Sequence, residues 1–252
     1  MWGLWARRGA LAAATIALAA CGGGTAKHGE AAKPPAQIVD DVAAASRSLH
    51  TFRLDGIGTD AQGSLRLTAV VAGPGRIHLA VRRPSGAYDV IALGQEIYLN
   101  ATRSYYAALP GLTPDQVARF ANRWVKLPTA DDAEVQASVT RATNIALQTR
   151  CWAARKKGLS IAGTGSVHGR AAVIVASDGS APGSAPGKVY VATSGPAWPL
   201  RSIRTGPRKP GGVGACASAS TATTSDITLS ELNEPIHLAP PTNALDLSTA
   251  GR

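Results

Sequence analysis

From Thr51 onward the apolar residues of this chain fall at every second position, and that alternation constrains the fold more than any other feature. Leu65, Leu67, Ala69 and Val71 alternate with Arg66, Thr68 and Val70, and Ile77, Leu79 and Val81 alternate with Arg76, His78, Ala80 and Arg82. A period of two is the mark of strands with one buried face. Turn signals separate the runs at Asp60 to Gly63, Gly73-Pro74-Gly75, Pro84-Ser85-Gly86 and Gly94-Gln95. Their spacing of about eight to twelve residues predicts an antiparallel meander, and strands this closely connected exclude a parallel sheet. Segments 86–93, 96–100 and 104–107 continue the pattern. It resumes at 159–164, 171–177, 188–193 and 200–205, breaks over a stretch rich in Gly, Pro, Ser and Thr from 206 to 220, and returns at 223–230, with 235–240 finishing the fold.

Helical spacing brackets the meander. Ile38, Val42, Ala45 and Leu49 share one helix face, leaving Asp40, Asp41 and Arg47 to water. Thr113, Pro114 and Asp115 form a helix start, with a capping hydroxyl, proline at the first position and an acid in the first turn. Val117, Phe120, Ala121 and Trp124 make its expected apolar face. A second start at Thr129 to Asp132 leads into Val135, Val139, Ala142 and Ala146. The expected order is helix, meander, helices, meander.

The N-terminus gives an address. Arg7 and Arg8 precede an apolar run from Gly9 to Ala20, the layout of a secretory signal peptide and too short to span a membrane. The run ends Leu18-Ala19-Ala20-Cys21, which resembles the lipobox of bacterial lipoproteins, where the peptide is cut before a diacylated (palmitate-type) cysteine. An ordinary secretion signal with a chance cysteine is the competing reading, but Gly22 to Pro35 has the composition of a flexible tether. Two or more acyl chains anchor stably where one does not. The expected divisions are a signal peptide at 1–20, a lipidated tether at 21–35, one domain at 36–245 and a disordered tail at 246–252. The mature chain is expected to be exported and held by Cys21 on the outer face of the cytoplasmic membrane.

The net charge of +10 falls to +8 once Arg7 and Arg8 leave with the signal, and the remaining basic residues are scattered. The densest groups, Arg155 to Lys157 and Arg201 to Lys209, lack the aromatic interleaving of single-strand grooves, so nucleic acid is not an expected partner. Anionic lipid headgroups suit that charge better. With Cys21 assigned to lipid, Cys151 and Cys216 are expected to pair in an oxidising compartment. Closing a loop of roughly 65 residues stabilises by about 4 kcal/mol in the chain-entropy model.

Catalytic constellations are absent from the sequence. There is no Gly-x-Ser-x-Gly elbow, Ser-x-x-Lys, His-Glu-x-x-His or Walker loop. Gly163-Thr164-Gly165 precedes a strand-like run, which makes it a hairpin connection rather than a dinucleotide loop. No histidine has a partner at metal-ligand spacing, so neither metal nor cofactor is expected. The pairs Asp40-Asp41 and Asp131-Asp132 are read as complements to helix dipoles. Trp124, Trp152 and Trp198 serve either as core or as part of a ligand mouth, with Trp124 assigned to the core by its spacing.

Ala43 to Gly56, Glu96 to Leu99, Asn122 to Leu127 (Asn-Arg-Trp-Val-Lys-Leu), Val167 to Val175, Val189 to Ser202 and Leu229 to Pro240 together resemble actinobacterial envelope lipoproteins related to LppX and LprG, which share the LolA-like fold. The resemblance spans most of 38–245 without a catalytic signature. It implies an α+β fold: a curved antiparallel sheet, an unclosed half-barrel, with helices covering its concave face and, in several members, acyl chains between. Aromatic residues are only 5%, and small inward side chains leave room for such a cavity, although an alanine-rich chain is small-sided everywhere. Strand and helix phase put Leu65, Leu67, Val71, Ile77, Leu79, Val81, Val117, Phe120, Val135 and Val139 inward as the expected lipid contacts. The resulting expectation is a non-enzymatic, membrane-anchored lipoprotein that binds or carries an acylated envelope lipid. Its rival is a structural or adaptor lipoprotein with a filled core that docks to other envelope components.

Overall fold

The computed structural model describes residues 29–127, 139–140, 143–212 and 223–247. The signal peptide, Cys21, Asp131, Asp132, Val135, Cys216 and residues 248–252 lie outside that set.

The meander forms as its alternation dictates. Five strands follow one another by tight turns: β1 (Thr51–Asp60), β2 (Gly63–Ala72), β3 (Arg76–Arg83), β4 (Gly86–Leu93) and β5 (Glu96–Ala101), with the short β6 (Trp124–Lys126) after two helices. The second meander is β7 (Leu159–Val167), β8 (Arg170–Asp178), β9 (Pro186–Ala192), β10 (Pro199–Arg204) and β11 (Thr224–Ser230), and β12 is Leu245–Asp246. All twelve join one open sheet in the order β12-β6-β5-β4-β3-β2-β1-β11-β10-β9-β8-β7. The two meanders therefore meet at β1 and β11. Among the described residues every pairing is antiparallel except the two-residue match of β12 with β6, which is parallel and amends the expectation of a purely antiparallel sheet. That strand also carries ordered chain into the span expected as a tail.

Helix α1 (Pro35–Ala45) starts with proline in its first turn and buries Ile38, Val39 and Val42 against Val173, Val175 and Val191. A 3₁₀ turn at Glu30–Ala32, whose Glu30 is buried, precedes it. Asp40 and Asp41 sit in the middle of α1 rather than at its start, so they do not serve its dipole. They pair instead with Lys156 and Lys33, each at 2.7 Å. Helix α3 (Pro114–Phe120) has the expected cap, a reciprocal box between Thr113 and Gln116. It stops at Phe120, Asn122 takes a left-handed conformation (φ 58°), and Trp124 enters β6, so Trp124 is no part of a helix face.

Three further expectations change. Residues 104–107 lie in helix α2 (Arg103–Ala107), because the Thr102 hydroxyl accepts from the Tyr105 amide and starts a turn that alternation did not reveal. The helix through Val139 does not run on to Ala146. Asn144 leaves helical geometry and caps a separate α4 (Ile145–Ala153). Gly163-Thr164-Gly165 lies inside β7 beside a bulge, and the hairpin connection is at His168-Gly169, both with positive φ.

Candidate functional site

Rows of inward side chains cross the sheet, and they differ in what covers them. Register aligns Phe52, Val71, Ile77, Ala92 and Ile97 across β1 to β5, and all five are buried. Val139, Ile145 and Leu49 pack on them from the helical side, so this end is a filled core.

One step along the strands, the next row is Leu54, Ala69, Leu79, Val90 and Leu99. Its leucines and Val90 are only half-buried, although they face the same way as the core. The third row runs Val189, Ser202, Ile227, Gly56, Leu67, Val81 and Tyr88, and Ile227 and Leu67 are again half-buried. The fourth, Gly187, Arg204, Ser225, Gly58 and Leu65, reaches the rim.

At that rim lies an open cavity of about 810 Å³ whose lining mixes inward positions (Gly58, Leu65, Arg204 and Ser225) with the outward row of Ile203, Asp226, Ile57, Arg66 and Arg82. Its volume falls within the roughly 300–1,000 Å³ of small-molecule sites. Neighbouring backbones approach closely at two inward glycines of this row. A Cβ at Gly58 would lie 2.8 Å from the Thr224 carbonyl oxygen, and one at Gly187 would overlap the carbonyl of Ile203. Glycine inside a strand marks such close approaches.

The rim is charged, and much of its charge is tied down. Arg82 pairs with Asp89 at 2.8 Å, Arg83 with Asp60 at 2.6 Å, and Arg201 with Asp226. Hydrogen bonding from Arg83 holds the Asp60 carboxyl below its usual pKa, and Arg201 does the same for Asp226.

Of the residues expected to touch lipid, Leu65 lines the rim cavity, while Leu67 and Leu79 continue the half-buried strip behind it with Val81 buried beside them. Val71, Ile77 and Val139 belong to the filled end. Val117 and Phe120 lie in a different cluster with Tyr106, Ala101 and Val125, beneath α2 and α3. Leu54, Val90 and Ile227 share the strip but were not singled out from the sequence, though extending the alternation of β1 back from Gly58 would have found Leu54. Cys151 is buried on α4. Trp152 lines a second cavity, and Trp198 lies half-buried under the Arg170 guanidinium at 5.5 Å. Among the described residues no group of three His, Cys, Asp or Glu is placed to hold a metal, and no helix is long and apolar enough to cross a membrane.

The chain is similar to LprF of Mycobacterium bovis. That crystal structure aligns with a TM-score of 0.49 at 14% identity, covering 82% of this chain and 96% of that one. The Mycobacterium tuberculosis lipoprotein LppX aligns with a TM-score of 0.44 at 13% identity, covering 81% and 98%. No family model matches the chain, and no curated protein matches it.

Proposed function

We propose that the protein is a non-catalytic, membrane-tethered lipid-binding lipoprotein that shelters acyl chains of an envelope lipid between its sheet and helices. The observation that carries this reading is the half-buried strip, or trough, of Leu54, Leu67, Leu79, Val90 and Ile227, which faces inward like the core yet is not covered like it, and which ends at the Leu65 rim where an open cavity of about 810 Å³ lies. Folding gains little from a leucine left half wet, whereas a bound chain gains about 0.8 kcal/mol for each methylene it buries there. Cys21 supplies the anchor in this reading.

Native mass spectrometry tests it on the whole chain, expressed with its leader in an exporting host. A lipid that leaves on denaturation marks the trough, whereas acyl mass that persists through denaturation marks Cys21. A mass free of removable lipid, still so after incubation with envelope lipids, would overturn the binding reading and favour an adaptor with a filled core.

A further inference from the structure

The end of the sheet opposite the rim carries a cleft of its own. It has a volume of about 370 Å³ and lies between the turn from α1 into β1, which contributes Ser46, Arg47 and His50, the β2–β3 turn and the N-terminal end of α4. No Asp or Glu lines it among the described residues. Register carries the end of β9 across β10 and β11 to the start of β1. Gly29, eight residues after Cys21, therefore packs beside Thr193 at this same end.

Hydrogen bonds fix each wall. The His50 amide donates to Asn233 Oδ1 at 2.9 Å, and Asn233 Nδ2 donates to the Ser48 carbonyl at 2.8 Å, which clamps the turn that carries Arg47. The Gly75 amide donates to the Thr143 hydroxyl at 3.4 Å, and that hydroxyl donates to the Val139 carbonyl at 3.0 Å, tying the β2–β3 turn to the residues before α4. Asn144 caps α4, its Oδ1 accepting from the Leu147 amide at 3.3 Å. The first turn of the helix thus reaches the cleft, which Ala146 lines.

Three side chains on these walls have bonding capacity that the fold does not use. Among the described residues the Arg47 guanidinium and the His50 imidazole hold no ion pair and no hydrogen bond. Ser46 is 1% exposed, and its hydroxyl is buried without a hydrogen-bond partner. Buried hydroxyls are almost always bonded, and one that is not costs stability until a partner meets it. The start of α4 adds the positive end of a helix dipole and amides without intrahelical acceptors. Donors gathered with no acid among them suit an anion, and a guanidinium fork beside a helix N-terminus matches phosphate oxygens in particular. The volume lies within the range of small-molecule sites and is large enough for a glycerophosphate-sized group.

We propose that this cleft binds the phosphoryl group of an anionic lipid headgroup in the leaflet that holds Cys21. The choice of leaflet rests on the anchoring reading above, while the anion site rests on Arg47, His50, Ser46 and the start of α4. The trough takes chains toward the rim and the cleft takes a headgroup at the opposite end, so the two serve different lipids.

Calorimetric titration of the whole protein in neutral detergent tests the site with glycerophosphoglycerol and inorganic phosphate, probes that carry no acyl chains and so leave the trough out of the result. Glycerophosphoglycerol is expected to bind, and Arg47→Gln to weaken it about tenfold, as the loss of one charge-assisted hydrogen bond does. Ser46→Ala is expected to weaken it too, with net charge unchanged and the melting temperature equal or higher. Arg119→Gln, which removes the same charge from α3, is expected to leave binding unaltered. Equal weakening by Arg119→Gln, or no binding of either probe, would overturn the site. Binding of inorganic phosphate alone would overturn the headgroup assignment and leave a free-phosphate site. Hydrogen exchange of residues 46–50 on the exported protein in vesicles tests the leaflet, with slower exchange expected when phosphatidylglycerol is present than on phosphatidylcholine alone. Unchanged exchange, or a Cys21 without acyl chains, would overturn the leaflet placement and leave the anion site standing.

Discussion

The two ends of the inner sheet face are made of the same kind of residue and do opposite things. At the Phe52 end, Val71, Ile77, Ala92 and Ile97 are buried under Val139 and Ile145. At the rim end, Leu65, Leu67 and Leu79 point the same way and stay half-wet. The difference lies in the lid, since the helices sit over one end, and in the backbone, since glycines and Arg204 replace apolar side chains at the other. Apolar character alone therefore does not separate core from site.

Mutation should expose that difference. Phe52→Ala removes a side chain with 2% exposure and is expected to destabilise by about 3–5 kcal/mol in urea unfolding. If Leu67→Ala cost as much, the contrast between the ends would be lost. Reducing a Cys151–Cys216 bond is expected to cost about 4 kcal/mol and to loosen the rim end first, because Cys216 follows the Arg208 loop in sequence and Cys151 sits on α4. Thiol counting on the unfolded protein with and without reductant decides whether the bond exists. Leu67→Ala is expected to cost only about 1 kcal/mol, the share of a half-buried leucine, while weakening lipid binding. Stability and affinity measured on one sample would then move apart.

Two titrations sharpen the comparison further. The Tyr106 hydroxyl is buried without a hydrogen-bond partner among the described residues, and burial pushes its pKa up to about 12. The folded protein thus keeps this proton to higher pH than the unfolded chain, and stability falls as pH rises from about 10 through about 12. Tyr106→Phe should remove that loss and, at neutral pH, be at least as stable, by up to about 1 kcal/mol. The rim responds at the other extreme. Asp60 and Asp226 have lowered pKa values, so their contribution is present above the ordinary carboxylate range and lost as pH falls below it. Asp60→Asn should flatten part of that acid limb in a pH series of melting temperatures, with the Phe52 core unaffected.

Much of this molecule was legible in the sequence because a period of two survives translation into structure without help. The strands from 51 to 101 and from 159 to 230, and the inward phase of Leu65 to Val81, all follow from it. Local chemistry misled where it imitated another element. Tyr105-Tyr106 has strand composition but follows a capping threonine, and Trp124 keeps helical spacing past a left-handed Asn122 that had already ended the helix. The convergence of Arg155, Arg204 and Arg208 on the second cavity was visible only as two scattered basic groups. Register places Arg204 opposite Gly187, and loop pairing brings Arg208 to it, and neither is encoded in local pattern.

The packing of Gly29 has a consequence for orientation. A Cβ there would lie 3.0 Å from the Thr193 carbonyl oxygen, beyond the end of β9 that is farthest from Arg204 and the rim. With Cys21 as the anchor, the eight residues to Gly29 reach at most about 28 Å, whereas a ten-residue strand such as β1 is about 33 Å long. On the proposed anchoring, an upright domain would therefore open away from its leaflet. Cargo would be presented outward, across the envelope, and loading from the home membrane would require the domain to tip over on its leash.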